Sequence, residues 1–139
     1  MSFEYTTEVE VRYTDIDTYG HVNNATYATY FEEARIDYLE DVVGSDDALL
    51  SGSESGTGIV IANLEVDYLQ PVQISDTVAV AVRVPRLGEK SFPFEYEVRT
   101  DDGVAATGET TVVTYDRDTE SSRSIPEDWR KKIAQFEGL

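Results

Sequence analysis

Hydrophobic and polar residues follow two different periods in the first third of the chain. Residues 3–13 mostly alternate, with Tyr5, Val9 and Val11 between polar positions, which predicts a β-strand. From Asn24 onward the apolar residues recur every three or four positions, which predicts an amphipathic helix. Its apolar face consists of Tyr27, Phe31, Ala34, Tyr38 and Val42. A cap at Asn23 or Asn24 and a stop at Gly44 give this helix roughly 20 residues.

Strand-like segments separated by short turns make up most of the remaining chain. Residues 45–58 are rich in Gly, Ser and acids and predict a flexible loop. Four strands are predicted at 59–69, 77–87, 91–100 and 104–115, and the short turns between the last three indicate antiparallel hairpins. In the C-terminal tail, 117–139, Ser124 and Glu127 have the spacing of a capping box, which predicts a short helix. We expect one α+β domain over 1–139, in which five antiparallel strands pack against one long helix.

Composition and charge exclude several kinds of site and partner. The chain has no cysteine and one histidine, which excludes thiolate nucleophiles and a multi-histidine metal site within one chain. Its 28 acids and 11 bases give a net charge of −17, which would repel nucleic acid and anionic membranes. Abundant acids with few lysines are typical of halophilic proteins. Since neither a signal peptide nor a membrane-spanning apolar run is visible, we expect a cytoplasmic protein.

The junction between the first strand and the helix, residues 15–24, concentrates the polar chemistry of the chain. It contains Asp15, Asp17, His21, Asn23 and Asn24. A simple polar turn that ends in a helix cap is one interpretation, but it must also explain the lone histidine and the paired asparagines in the same turn. A calcium-binding loop would use Asp15, Asp17 and Gly20 at its first, third and sixth positions, but Thr26 stands where a bidentate Glu is needed. Catalysis on an acyl group is the third interpretation and assigns a role to more of these residues.

In an acyl-group site the Asp17 carboxylate attacks a carbonyl carbon or deprotonates a water molecule. Gly20 lets the backbone approach the substrate closely. Free backbone N–H groups at the start of the helix would polarise the carbonyl oxygen. These belong to Val22, Asn23 and Asn24. His21 would orient water, hydrogen-bond the carboxylate or simply fix the loop, and Asp15 is expected to form the turn.

These residues carry a family resemblance. The run from Arg12 to Tyr27, with an Asp-x-x-Gly-His-Val-Asn-Asn core at 17–24, resembles the hot-dog-fold acyl-CoA thioesterases, in particular the 4-hydroxybenzoyl-CoA thioesterase-like group. The similarity continues through 61–71, Asp76 and 91–92 to 108–110. It implies a hot-dog fold, a homodimer or homotetramer, and thioester hydrolysis without a metal or a separate cofactor. It also implies that Asp17 is the catalytic aspartate and that the polarising amides lie near 22–24.

A comparison with plant acyl-carrier-protein thioesterases supports the same assignment. Their Asp…Asn…His run is similar at Asp17 and His21, but Tyr19 stands where their Asn would be. An Asn- or Cys-dependent mechanism is therefore not expected in this chain.

The resemblance implies coenzyme A as part of the substrate, so cations must hold its phosphates. Arg86 and Lys90, with Arg83 nearby, form one candidate cluster, and Arg117 with Arg123 form another. Tyr27 and Tyr68 are candidates for lining the acyl pocket, with Tyr30 and Phe31 beside them. We therefore predict an acyl-CoA thioesterase. A hot-dog hydratase or dehydratase and a non-catalytic acyl-CoA-binding module are the alternatives.

Overall fold

The computed structural model describes residues 3–44 and 56–139 of the 139-residue chain. Within these ranges the strands are β1 (Tyr5–Val9), β2 (Thr57–Tyr68), β3 (Val78–Arg83), β4 (Ser91–Thr100), β5 (Gly103–Asp116) and β6 (Ser121–Ser122). The helices are α1 (Thr26–Val42) and α2 (Glu127–Glu137). Most of the loop predicted over 45–58 lies outside the described residues. Its last two residues, Thr57 and Gly58, belong to β2, because they pair with the end of β5.

The strands form one antiparallel sheet in the order β1-β3-β4-β5-β2, and the short β6 pairs with β5. The five predicted strands are all present, and the two-residue β6 is an addition. β2 runs beside β5 from Thr57, opposite Asp116, to Tyr68, opposite Ala106. No strand of the described chain borders the other side of β2, so this 12-residue strand is an edge of the sheet.

One side of α1 packs on the sheet. Its buried residues are Tyr27, Tyr30, Phe31, Ala34, Arg35, Tyr38 and Leu39. Most of the predicted apolar face is therefore buried, whereas Val42 is only half-buried. Each fully buried large apolar side chain contributes about 1.5–3 kcal/mol to the burial term of folding. Arg35 is the unexpected member, and its Nη1 donates a hydrogen bond to the buried Tyr96 hydroxyl at 3.1 Å.

Phe31 fixes the seat of α1 on the sheet. Its ring stacks on Tyr96 with centroids 4.3 Å apart. A Cβ atom at Gly108 would lie 2.4 Å from Cε2 of Phe31, so any side chain at this position would collide with the ring. The side-chain direction at 108 therefore faces α1, and the neighbouring residues 107 and 109 face the opposite side of the sheet.

That opposite side carries a group of carboxylates, Glu65, Asp67, Glu95, Glu97 and Glu109, which we call the outer acidic patch. Glu109 lies directly opposite both Glu65 on β2 and Glu95 on β4. Arg83 pairs with Glu95 at 2.7 Å and Arg99 with Glu97 at 2.8 Å. The remaining three carboxylates form no salt bridge within the described chain, so like charges face each other across these strands.

The starts of both helices differ from the prediction: α1 begins later, and α2 begins without the predicted cap. α1 begins at Thr26, beyond the predicted caps, although it ends as expected where Gly44 adopts a positive φ of 123°. α2 begins after Pro126 without any side-chain cap, so the predicted capping box is wrong. Trp129 and Ile133 of α2 are buried in the core. In the described ranges neither helix is long and apolar enough to cross a membrane.

Candidate active site

The loop before α1 folds into a small hairpin that holds Asp17 and His21 together at its base. Ile16 and Val22 form an antiparallel bridge, and the Asp17 N–H donates to the His21 carbonyl at 3.1 Å. The Gly20 N–H donates to the Asp17 carbonyl at 3.1 Å, closing the turn. Gly20 has a φ of 89°, a conformation that other residues rarely adopt. Its role here is to make the turn.

The two aspartates of this loop have different environments. One Asp15 oxygen, Oδ2, accepts hydrogen bonds from the Arg12 N–H and the Tyr30 hydroxyl, both at 2.9 Å. Burial and the bond to this carboxylate raise the pKa of Tyr30 well above its ordinary range. Asp15 is thus a structural residue, as predicted.

The Asp17 carboxylate accepts fewer hydrogen bonds from the described residues than the Asp15 carboxylate. Its Oδ1 accepts the Tyr19 N–H at 2.9 Å. Its Oδ2 accepts no hydrogen bond from any residue within 3–44 or 56–139. The side chain is half-buried, so one carboxylate oxygen remains available to a substrate or a water molecule.

The predicted polarising amides are only partly free. The Val22 N–H donates to the Val72 carbonyl and the Asn23 N–H to the Asp15 carbonyl, both at 2.8 Å. The prediction of free N–H groups at Val22 and Asn23 is therefore wrong, because these amides pin the hairpin to its surroundings. The Asn23 side chain also accepts the Ala25 N–H at 2.8 Å, so it forms a turn before the helix and does not cap it.

The N–H of Asn24 remains as the free amide of the predicted set. It finds no acceptor in the described part of the chain, and the Tyr27 N–H in the first turn of α1 also has none there. Both donors lie at the positive end of the helix dipole, where a negatively charged oxygen is stabilised.

A cavity of about 290 Å³ lies beside this helix start. Its walls are His21, Val22, Asn24, Tyr27, Tyr68, Leu69, Gln70 and Pro71. Five predicted site residues are thus brought together around one space. Asp17, Gly20 and Asn23 do not line the cavity, although the bond from Asp17 to His21 places the aspartate next to it.

The tyrosines of the cavity have distinct contacts. Their rings meet edge to face, with the Tyr27 and Tyr68 centroids 5.0 Å apart. The Tyr68 hydroxyl donates to the Asn24 carbonyl at 2.8 Å. Burial raises the pKa of Tyr27, which is only 2% exposed. Its hydroxyl makes no hydrogen bond with the described residues, which leaves one polar atom of the wall for a ligand.

The imidazole of His21 does not reach the Asp17 carboxylate. It makes no hydrogen bond with the described residues and stacks near Tyr19, with centroids 6.4 Å apart. The predicted option of a hydrogen bond between His21 and the Asp17 carboxylate is therefore not part of this arrangement. The ring instead forms one wall of the cavity.

The predicted phosphate-binding cations lie away from the cavity. Arg86 and Lys90 are exposed around the turn before β4. The Lys90 carbonyl accepts the Thr114 N–H, and Thr114 lies opposite Ile59 near the start of β2. The cavity, by contrast, adjoins Tyr68 at the end of β2. Arg83 is engaged by Glu95, so it is not a free member of this cluster.

Leu69, Gln70 and Pro71 line the cavity but are not among the predicted site residues. They follow β2 and meet the helix start only in the folded sheet. Gln70 is anchored through its Nε2 to the carbonyl of Val104 at 3.2 Å, which holds this segment against β5. Across the described ranges, no group of three or more His, Cys, Asp or Glu residues is arranged to hold a metal ion.

Comparisons with known proteins agree with this fold. The family model of the thioesterase-like superfamily matches residues 11–133. Among curated proteins, the long-chain acyl-CoA thioesterase FadM of Escherichia coli is 28% identical over 132 residues, covering 94% of this chain and 97% of FadM.

Solved structures extend the similarity to the whole architecture. A thioesterase from Thermus thermophilus, solved with coenzyme A and Zn, is 34% identical with a TM-score of 0.81, covering 96% of this chain and 95% of that one. The DHNA-CoA thioesterase of Staphylococcus aureus is 26% identical with a TM-score of 0.85, covering 96% and 91%. The predicted hot-dog fold is confirmed. The chain belongs to the thioesterase-like superfamily and is a thioester hydrolase, as predicted.

Proposed function

We propose that the protein hydrolyses the thioester of an acyl- or aryl-acyl-CoA to the free acid and coenzyme A, with Asp17 as the catalytic carboxylate. The observation that carries the proposal is the cavity at the start of α1. Its wall carries a free N–H donor at Asn24. Asp17, which lies next to the cavity, keeps one carboxylate oxygen that the fold leaves unused. The names of the acyl-CoA thioesterases in the comparison support the same substrate class.

The chemistry follows from these two groups. The carbonyl oxygen accepts a hydrogen bond from the Asn24 N–H, and the helix start stabilises the negative charge that develops there. As a general base, Asp17 takes a proton from water while the water oxygen bonds to the carbonyl carbon. The tetrahedral intermediate then expels the thiolate of coenzyme A, which receives the proton. The proposal requires no cofactor besides coenzyme A itself.

Asp17 as a nucleophile is the second route. The carboxylate would then bond to the acyl carbon and expel the thiolate, leaving an anhydride that water hydrolyses. ¹⁸O found in Asp17 after a single turnover in ¹⁸O-labelled water identifies the nucleophilic route, whereas its absence also fits attack of water at the acyl carbon of the anhydride. Attack of water on the anhydride at the aspartyl carbon leaves ¹⁸O in Asp17, whereas the general-base route places ¹⁸O only in the released acid.

We also propose that the active form is a homodimer joined through the β2 edges. The side of this strand that faces α1 exposes Ile61, Leu64 and Tyr68 by 41%, 42% and 46%. An exposed edge of 12 residues with an apolar face favours pairing with a second strand. A second copy pairing antiparallel along β2 would cover both the edge and these side chains. A homotetramer stays a prediction.

Antiparallel pairing would also explain the separation of the cavity from the cations. From Ile59 to Tyr68, β2 extends about 30 Å, so Lys90 lies far from the cavity of its own protomer. In an antiparallel pair the start of one β2 lies beside the end of the other. Arg86 and Lys90 of the partner subunit would then approach the cavity and hold the phosphates of coenzyme A.

The test is thiol release from a panel of short, long and aromatic acyl-CoAs, measured in low and high salt. We expect turnover of at least one acyl-CoA and its loss in Asp17→Asn. Hydration of crotonyl-CoA without thiol release would support a hydratase. Tight binding without turnover, unchanged in Asp17→Asn, would support a binding module. Either result would overturn the proposed hydrolysis.

A further inference from the structure

We infer that Tyr68 is a positioning residue for hydrolysis: its hydroxyl holds the Asn24 peptide so that the Asn24 N–H is fixed as the donor to the thioester carbonyl. This inference rests on the proposed function. It adds a residue on the edge strand whose contribution is made through its bond to the helix start.

Both peptide groups that flank Asn24 are held by hydrogen bonds. The Asn23 carbonyl, which shares a peptide plane with the Asn24 N–H, accepts the Thr26 N–H at 2.9 Å. On the following plane, the Ala25 N–H donates to the Asn23 side chain at 2.8 Å. The Asn24 carbonyl of that plane has one partner within the described residues, the Tyr68 hydroxyl. Both planes are held, so the N–H between them has little freedom to turn away.

The bond from Tyr68 differs in origin from the other hydrogen bonds that restrain this segment. The other bonds to this segment come from the loop itself or from the first turn of α1. The bond from Tyr68 comes from β2, 44 residues further along the chain. It therefore ties the donor to the sheet, whereas the local bonds tie it only to its own loop. A preorganised donor stabilises developing charge without the cost of reorienting during the reaction.

The Tyr68 ring has contacts of its own that do not depend on its hydroxyl. The ring meets Tyr27 edge to face at 5.0 Å and lines the cavity. Replacing Tyr68 with Phe therefore removes the hydrogen bond and keeps the ring contact and the wall. Because this hydrogen bond acts on the donor to the thioester carbonyl, we expect kcat to fall roughly two- to tenfold with little change in KM.

A matched control is available at the far end of α1. Tyr5 also donates its hydroxyl across the fold, to Asp41 at 2.5 Å, but lies outside the site. Tyr5→Phe removes a hydrogen bond to a charged acceptor, so we expect its unfolding temperature to fall at least as much as that of Tyr68→Phe while its kcat stays at the wild-type value.

The decisive readout is the carbonyl stretch of a bound ketone analogue. The probe is the acyl-CoA that the panel shows to turn over fastest, with CH₂ in place of the thioester sulfur and ¹³C at the carbonyl. In the wild-type protein the donor should lower the stretching frequency relative to water. In Tyr68→Phe the frequency should move back towards the value in water, and in Tyr5→Phe it should not.

The thioether analogue of the same acyl-CoA, which lacks the carbonyl oxygen, should bind equally to all three proteins. An unchanged frequency in Tyr68→Phe, or an equal loss of affinity for ketone and thioether, would overturn the positioning role. Failure of the proposed hydrolysis is distinguishable, because it shows as an inert wild-type protein or as full activity in Asp17→Asn.

Discussion

The hydroxyl of Tyr30 lies 2.9 Å from Oδ2 of Asp15, and Asp17, the other aspartate of the site loop, has no such contact with α1. Asp15 receives a tyrosine from α1 and the Arg12 N–H on one oxygen. Asp17, two residues later, accepts one local N–H and keeps its other oxygen available. The pair Asp15→Asn and Asp17→Asn therefore separates structure from catalysis.

We expect Asp17→Asn to reduce kcat for thioester hydrolysis by more than about 100-fold, because it removes the base or nucleophile. Its unfolding temperature should stay close to that of the wild-type protein. Asp15→Asn should instead lower stability by about 1.5–3 kcal/mol, since it weakens hydrogen bonds to a charged acceptor. Thiol-release kinetics and thermal unfolding of both variants check this. The reverse pattern would contradict the assignment.

Gly108→Ala should destabilise the fold by about 1–3 kcal/mol, because the new Cβ meets the Phe31 ring at a distance that no packing tolerates. Chemical denaturation measures the change. The control is Phe31→Leu alone and in combination with Gly108→Ala. If the collision is the cause, the double variant loses less stability than the sum of the two single variants. Additive losses would place the cause elsewhere.

The predicted phosphate-binding residues can be tested through KM. Removing the charge in Lys90→Gln or Arg86→Gln should raise KM for acyl-CoA several-fold and leave kcat nearly unchanged, because the phosphates are remote from the reacting carbonyl. The difference should shrink as salt rises. Arg99→Gln provides the control, since it removes an exposed cation on the face of the sheet that carries the outer acidic patch. Equal effects in all three variants would point to net charge alone.

Stability should rise with salt, and part of that rise should come from Glu109. This carboxylate faces Glu65 and Glu95 across the strands, and each such repulsion costs about 0.2–1 kcal/mol at low salt. Glu109→Gln should therefore be more stable than the wild-type protein in dilute buffer and nearly equal to it in 2 M NaCl. Glu32→Gln, an exposed acid on α1, should show no such difference. Unfolding at a series of salt concentrations provides the measurement.

Alkaline conditions should unfold the protein through its buried phenols. Burial and a hydrogen bond to Glu137 raise the pKa of Tyr38 far above its ordinary value. Since the folded pKa exceeds the unfolded one, this contribution is complete below about pH 10 and is lost as the pH rises beyond it. The free energy of unfolding should fall by up to about 1.4 kcal/mol per pH unit for each such tyrosine. Tyr38→Phe should show a shallower fall, and an identical slope would contradict this.

The sequence predicted the main elements because their signals are local. The end of α1 follows from Gly44, whose positive φ a glycine supplies at little cost. The predicted start of α1 is too early, because Asn23 can either cap a helix or make a turn. Its contacts with Asp15 and Ala25 decide for the turn. Thr57 and Gly58 look like loop residues and become strand because the end of β5 lies beside them.

The same distinction holds for the site. The motif at 17–24, Tyr27 and Tyr68 are predicted from the sequence, and five of these residues line the cavity. Which amides stay free was not predictable, because the acceptor of the Val22 N–H is the carbonyl of Val72, 50 residues away in sequence. Gln70 and Pro71 belong to the cavity only through the register of β2 on β5.

The collision between Phe31 and any side chain at position 108 has a consequence for how this protein can change. The Phe31 ring packs against Gly108, where the sheet has no side chain. Phe31 lies five residues after the first residue of α1, so this contact sets both the rotation and the axial position of the helix. Because Phe31 fixes the helix in this way, the N-terminal end of α1, which carries the free N–H groups, keeps its position when other residues vary. New acyl preferences can then arise through the wall residues 69–71, without moving the helix start or the tyrosine proposed to hold it.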